Sequence, residues 1–304
     1  MTSPSQENSH ISYQPYWWSS RKENLISPKI IPEKLDLLVV GAGYTGLSAA
    51  LAARDLGAKV AVVDAGVAGV GASTRNGGMF GAHPRFGWTA LSKKFGSRIA
   101  DQIFEEAFTA QLFVQKLIKD ENIDCQMQNT GRIQLAWTPR DFEKQKSLAD
   151  ILTKKTGIRV SIIDKGHLQE EIKTNCYSGA LLFHDHYGLN PMKFHHGLLG
   201  ALYSREVPII ERTPILTVRK ENRQFLVTSE YQSINVKKVI MATNGYTSGD
   251  FKWFQRRVFP LPSFLIATVD LPESLVRELS PRGRMMVETR AQHNYFRPSP
   301  DGKK

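Results

Sequence analysis

Residues 35–40, LDLLVV, form an apolar run with little alternation, and a second such run, KVAVVD, spans residues 59–64. Strands exposed on one face alternate; these do not, which predicts strands covered on both faces of a parallel sheet. Residues 44–56 between them are rich in alanine and leucine and predict a helix. Its small residues Ala49, Ala50 and Ala53 let it lie close to a sheet. From about 97 to 119 the period changes. Ile99, Ile103, Ala107, Ala110, Val114 and Leu117 recur at three or four residues, the pattern of an amphipathic helix. Further along, the pattern predicts a strand at 131–137, a charged helix at 140–155, and a strand followed by a turn at 178–191. A helix at 192–204, several short strands over 207–241 and a strand at 262–272 complete it.

Residues 1–34 are polar and then punctuated by Pro15, Pro28 and Pro32, which predicts an extended arm. The YWW at 16–18 is too apolar to stay in water and is expected to pack on the body. The strand in KKVIMATNG, residues 237–245, belongs with the strand–helix–strand unit at 35–64 despite a long insertion of different character. That predicts two interleaved domains.

Composition narrows the partners. The chain has 304 residues, 41% of them hydrophobic, enough for one large core or two moderate ones. Forty basic against 29 acidic residues give a net charge of +11. The basic residues cluster only in pairs, such as Lys93-Lys94, Lys154-Lys155, Arg256-Arg257 and Lys303-Lys304. No helix carries a basic stripe interleaved with aromatics, so neither a nucleic acid nor a membrane surface is the expected partner. Cys125 and Cys176 make no disulfide framework in a chain this long and fit a reducing compartment. No apolar signal core or stretch of roughly 18 apolar residues is present, so the expected location is the cytoplasm.

Gly41, Gly43 and Gly46 form G-x-G-x-x-G between the first strand and the helix. The first glycine allows the turn, the second lets backbone approach a pyrophosphate, and the third lets the helix close on the sheet. The helix N-terminus favours the phosphates. Asp64 ends the second strand where it can accept hydrogen bonds from the adenosine ribose, and it would repel the 2′-phosphate of NADP. After Asp64 an NAD enzyme would move quickly into another helix. This chain instead has a second glycine-rich loop, AGVAGVGASTRNGGMF at 65–80, carrying Ser73, Arg75 and Asn76. An extended flavin dinucleotide needs such a second grip.

The stretches GAGYTGLSAA, GASTRNGG and VIMATNGYT, with YWW near the start, resemble the D-amino-acid-oxidase-like FAD-dependent oxidoreductases. The branch they look most like is that of the gamma-glutamylputrescine oxidoreductases and related amine and amino-acid oxidases. The resemblance implies a mixed α/β fold with a Rossmann-type FAD-binding domain over 35–80 and 190–250. A sheet-plus-helix substrate domain would cover 81–189 and 251–304, with the arm over 1–34. It implies FAD as cofactor, with Gly41, Gly43 and Gly46 at the pyrophosphate and Asp64 at the ribose. Ser73, Arg75, Asn76, Gly77 and Gly78 would line the phosphates, ribityl chain and flavin ring. Ile215 would offer backbone to the adenine, and Ala242, Thr243 and Asn244 would pass beside the cofactor. The reaction implied is hydride transfer from the carbon next to the nitrogen of a small amine or amino acid, with no obligatory acid–base residue.

Substrate contacts are less defined. His83 and Arg85 follow the flavin loop, and Tyr295 and Arg297 lie in NYFRPSP, where an arginine can pair with a carboxylate. Each is equally a surface or core residue with ordinary partners. His184 and His186, in HDH, would share one face of a strand, but with His195 and His196 they offer no third ligand at useful spacing, so no metal is expected. Members of the resembled family continue past the SPDGKK that ends this sequence. The expectation is therefore an intact adenosine half of the site, an incomplete flavin half, and exposed apolar sheet surface. Two other readings stand beside the oxidoreductase: an NAD-dependent dehydrogenase, and a non-catalytic remnant that binds dinucleotide-like ligands.

Overall fold

The computed structural model describes residues 12–20, 30–247 and 251–304. Residues 1–11 and 21–29 of the expected arm lie outside the described residues. In chain order come β1 (Leu37–Val40), α1 (Tyr44–Asp55), β2 (Val60–Val63), β3 (Met79–Phe80), α2 (Trp88–Phe95) and α3 (Ser97–Asp120). Then follow β4 (Arg132–Leu135), α4 (Pro139–Lys155), β5 (Val160–Asp164), β6 (Gly179–Phe183), β7 (Tyr187–Gly188) and α5 (Pro191–Tyr203). The last third holds β8 (Ile209–Ile210), β9 (Ile215–Glu221), β10 (Gln224–Ser229), β11 (Ser233–Val236) and β12 (Lys238–Met241). After these come α6 (Lys252–Gln255), α7 (Glu273–Leu279), β13 (Met285–Glu288) and β14 (Tyr295–Phe296).

The chain divides into two compact units, residues 1–75 with 198–266 and residues 76–197 with 267–304. The expected divisions after 80, 189 and 250 thus stand beside observed ones after 75, 197 and 266. The first division falls inside the second glycine loop.

In the first unit, β12, β1, β2 and β8 form a parallel sheet in that order. All four residues of β1 and of β2 are buried, which is why neither run alternates. α1 lies on this sheet through Gly46, Leu47, Ala50 and Leu51, with Ala49 and Ala53 half-buried at its sides. The antiparallel strands β11, β10 and β9 form a second sheet. Leu38, Val40, Ala61, Val63 and Ile210 share one core with Val227, Ile234 and Val236.

In the second unit the order is β14-β13-β4-β6-β5. The β13–β4 pair is parallel and the other three pairs are antiparallel. On one side, Leu181 and Phe183 of β6 share a core with Leu91, Phe104 and Leu152 from α2, α3 and α4. On the other, Ile133, Leu135, Leu182 and Met286 meet Leu168 and Tyr177. β6 is therefore buried along its whole length.

Three expectations are corrected here. The buried line of α3 is Ala100, Phe104, Gln111 and Ile118; Ile99 and Ala110 face solvent, and Ile103, Ala107, Val114 and Leu117 flank it. A glutamine takes a core position because Gln111 Oε1 accepts the buried Ala82 N–H at 2.6 Å. The stretch 262–272 is not a strand. All of residues 261–270 are exposed, Phe264 at 87% and Ile266 at 91%, and among the described residues no strand is hydrogen-bonded along them. An apolar alternating segment becomes a strand only where a partner satisfies its backbone. Finally, HDH lies beyond the end of β6 rather than on it. His184 bonds Ser161 near the surface, while His186 is buried against the Phe183 ring, so the two imidazoles part.

Candidate functional site

The chain leaves β1 through Gly41, whose φ of +110° only glycine adopts readily. A Cβ there would stand 2.5 Å from the Ala242 carbonyl oxygen, so β12 closes one side of the turn. The Gly41 N–H donates to Val63 O at 2.7 Å and the Ala42 N–H to Asp64 Oδ2 at 2.7 Å. Asp64 Oδ1 accepts from Gly66 N at 2.8 Å. One carboxylate thus ties the glycine turn to the loop after β2. We expect Asp64→Ala to cost about 1.5–3 kcal/mol, the usual range for hydrogen bonds to a charged group. Urea unfolding against wild type measures this, and an unchanged midpoint with an unchanged slope would contradict it.

Gly43 caps α1 without a side chain. Ser73, from the second glycine loop, accepts the Tyr44 N–H at 3.1 Å, and a Cβ on Gly43 would come within 2.9 Å of its Oγ. The two loops therefore meet at the start of α1. They border a cleft of about 620 Å³ that also reaches Ile215, Ala242, Thr243 and Asn244. Gly46 lies beneath it: a Cβ there would be 1.8 Å from Gly41 O. A helix N-terminus, an acid at the end of the next strand and a long cleft between glycine turns suit a dinucleotide.

Arg75 does not border this cleft. Its guanidinium lies 4.7 Å from the centroid of the Trp18 ring, and the Trp18 indole N–H donates to Thr74 Oγ1 at 2.9 Å. With Trp17 buried, the YWW segment is packed on the first unit.

Asn76, Gly77 and Gly78 fall in the second unit. Asn76 Oδ1 accepts from Gly78 N at 2.8 Å. Gly78 has φ +65°, and a Cβ on it would strike Leu189 O at 2.2 Å. Tyr295 lays its ring against Gly77. Arg297 donates to the carbonyls of Gly78 at 3.3 Å and Leu189 at 2.8 Å. Both residues brace the Gly77–Gly78 segment. Arg85 is exposed.

His83 sits in the interior of the second unit, its ring 4.9 Å from Phe183 and 6.2 Å from His186. Burial first, and the Arg132 charge second, hold His83 down to about 3. Burial, then Arg132 and His83, hold His186 down to about 2. Both imidazoles are neutral at pH 7. Burial alone brings Arg132 to about 10, so it remains a cation. His83 and His186 stand out in the sequence as chemical candidates, but only the fold brings them to Arg132, an arginine inside an alternating strand. Burial pushes the Cys125 thiol up to about 11, which leaves it inert.

Comparison with known proteins agrees with this geometry. Residues 36–303 match the family model described as FAD dependent oxidoreductase (DAO). A probable oxidoreductase OrdL of Haemophilus influenzae is 26% identical over 294 residues, covering 95% of this chain and 68% of its own. The gamma-glutamylputrescine oxidoreductase of Escherichia coli is 25% identical over 269 residues, covering 88% and 63%. This chain therefore spans about two thirds of the length of these relatives. Among solved structures, L-proline dehydrogenase from P. horikoshii aligns with a TM-score of 0.66 at 15% identity, over 90% of this chain and 69% of that one. Glycine oxidase from Geobacillus kaustophilus aligns at 0.59 and 19%, over 71% and 56%. No helix among the described residues is long and apolar enough to cross a membrane.

Proposed function

The chain belongs to the FAD dependent oxidoreductase family, and we propose that it holds FAD in the cleft of the first unit and oxidises a carbon–nitrogen bond of a small amine or amino acid. The observation that carries this reading is the convergence of both glycine loops and Asp64 on one cleft. A Cβ on Gly43 would crowd Ser73, and one on Gly41 would collide with Ala242, so the cradle is shaped by glycine at both points. The start of α1 takes the pyrophosphate, and Asp64 faces the ribose hydroxyls. Ile215 and Ala242–Asn244 line the far wall, where the adenine is accommodated. Bound FAD supplies a two-electron acceptor.

This substrate class is supported by relatives named for gamma-glutamylputrescine and for glycine. A primary or secondary amine, neutral at the nitrogen, is the form that gives up hydride from its neighbouring carbon. A second amine-bearing compound of the same size would be discriminated by its polar ends rather than by its reacting bond.

The test is the visible spectrum of the purified chain, before and after denaturation. We expect a flavin spectrum that becomes free FAD on unfolding, and bleaching of that spectrum by one of a panel of polyamines and amino acids under anaerobic conditions. A protein that stays colourless with added FAD yet binds NAD would replace this reading with the dehydrogenase.

A further inference from the structure

Arg132 stands on β4, a strand in the middle of the five-stranded sheet, and its cross-strand neighbour on β6 is Phe183. Its guanidinium lies 4.7 Å from the centroid of that ring. The same ring touches His83 and His186, each with its centroid 4.9 Å away. Three basic side chains thus surround one phenylalanine on the helix-covered side of the sheet.

Three nitrogens in this cluster are sealed from solvent and have no hydrogen-bond partner among the described residues: Arg132 Nε, His83 Nδ1 and His186 Nε2. Among the described residues no carboxylate forms an ion pair with Arg132, and none acts on its charge. A cation–π contact stabilises by about 0.5–2 kcal/mol, whereas taking a charge out of water costs several. Phe183 therefore does not compensate the guanidinium. The neutral imidazoles do not either, since each has an N–H to give and no charge to offset. What all three lack is a hydrogen-bond acceptor, and the guanidinium adds a positive charge that an anionic acceptor would offset. Part of Arg132 remains accessible, so such a partner has a way in.

We propose that Arg132, His83 and His186 form a binding site for a small monoanion, a halide or a carboxylate group, within the second unit. The guanidinium supplies the charge. Each imidazole turns the tautomer that donates toward the anion, which leaves them neutral and the site singly charged. None of these residues borders the cleft of the first unit.

The test uses the whole chain at constant ionic strength, with sodium bromide, sodium formate or sodium acetate replacing sodium sulfate. The expected result is a saturable rise of the thermal midpoint in wild type, absent in Arg132→Met. In Arg132→Lys the half-saturating concentration should rise about 10-fold, because an ammonium lacks the planar fork. Should Arg132→Met fail to fold, bromide-soaked wild-type crystals give the answer by anomalous scattering, with a peak beside the Arg132 guanidinium. Displacement of that peak by formate or acetate identifies the ligand as a carboxylate; its persistence identifies a halide. A midpoint that does not saturate in wild type, an identical curve in Arg132→Met, or water alone beside Arg132 overturns the proposal.

Discussion

Gly46→Ala should destabilise the chain by roughly 3 kcal/mol or more, at the upper end of what overpacking costs. The added methyl would stand 1.8 Å from Gly41 O and 3.2 Å from a Val39 methyl. The oxygen belongs to backbone that is itself held by the Gly41–Val63 hydrogen bond, so no rotamer relieves the clash. α1 has to lift off β1, and its N-terminus leaves the cleft. FAD affinity should fall with it, by at least about 10-fold, which corresponds to about 1.4 kcal/mol of lost interaction. Gly57→Ala is the matched control. Gly57 has φ +83° with open space around it, so alanine there meets only the left-handed backbone penalty of about 1–2 kcal/mol. Its FAD affinity should stay at the wild-type value. Urea unfolding and FAD titration of the two variants decide the matter. Equal behaviour would mean that the close approach of α1 to the glycine turn does not hold the site together.

The same contact explains why the first unit was so legible. Burial on both faces erases alternation, so LLVV and VAVV mark themselves as interior parallel strands. The glycine spacing is a local requirement of turn and helix, and Asp64 answers it from the very next strand. β12, far along the chain, also reads as an apolar run and lands beside β1, although as an edge strand it leaves Lys238 and Ile240 exposed. What stayed hidden depends on partners distant in sequence. Gln111 occupies the core only because Ala82 needs an acceptor, and that shifts the buried face of α3 by one position. Residues 262–272 have strand-like chemistry but no strand to pair with. The Gly78 and Leu189 carbonyls that Arg297 reaches lie far from it in sequence, so these contacts were not legible. Arg132 reads as an ordinary outward residue of an alternating strand, yet its side of the sheet is covered by helices.

That covered side governs the response to acid. Free histidine titrates near 6.5. In the folded chain, burial and the Arg132 charge hold His83 at about 3 and His186 at about 2. Below pH 6.5 the unfolded chain therefore binds two protons that the native one refuses, and stability falls as pH falls. Each histidine contributes a slope of about 1.4 kcal/mol per pH unit. Between pH 6.5 and 5 the pair together removes up to about 4 kcal/mol, a large share of the 5–15 kcal/mol typical of a folded domain. His184, also lowered by burial, acts in the same direction. The lowered carboxylates, among them Asp141, Asp185 and Glu288, titrate in a more acidic window, so the two effects separate on the pH axis. Unfolding free energies measured by urea at pH 7.5, 6.5, 5.5 and 5.0 should be flat at the top of that range and drop steeply below it. In His83→Asn the lower limb should lose about 1.4 kcal/mol per pH unit of its slope, because one of the two refused protons is gone. A wild-type stability that does not change between pH 7 and 5 would mean that the imidazoles accept protons in place, and that the cluster around Phe183 is open to water.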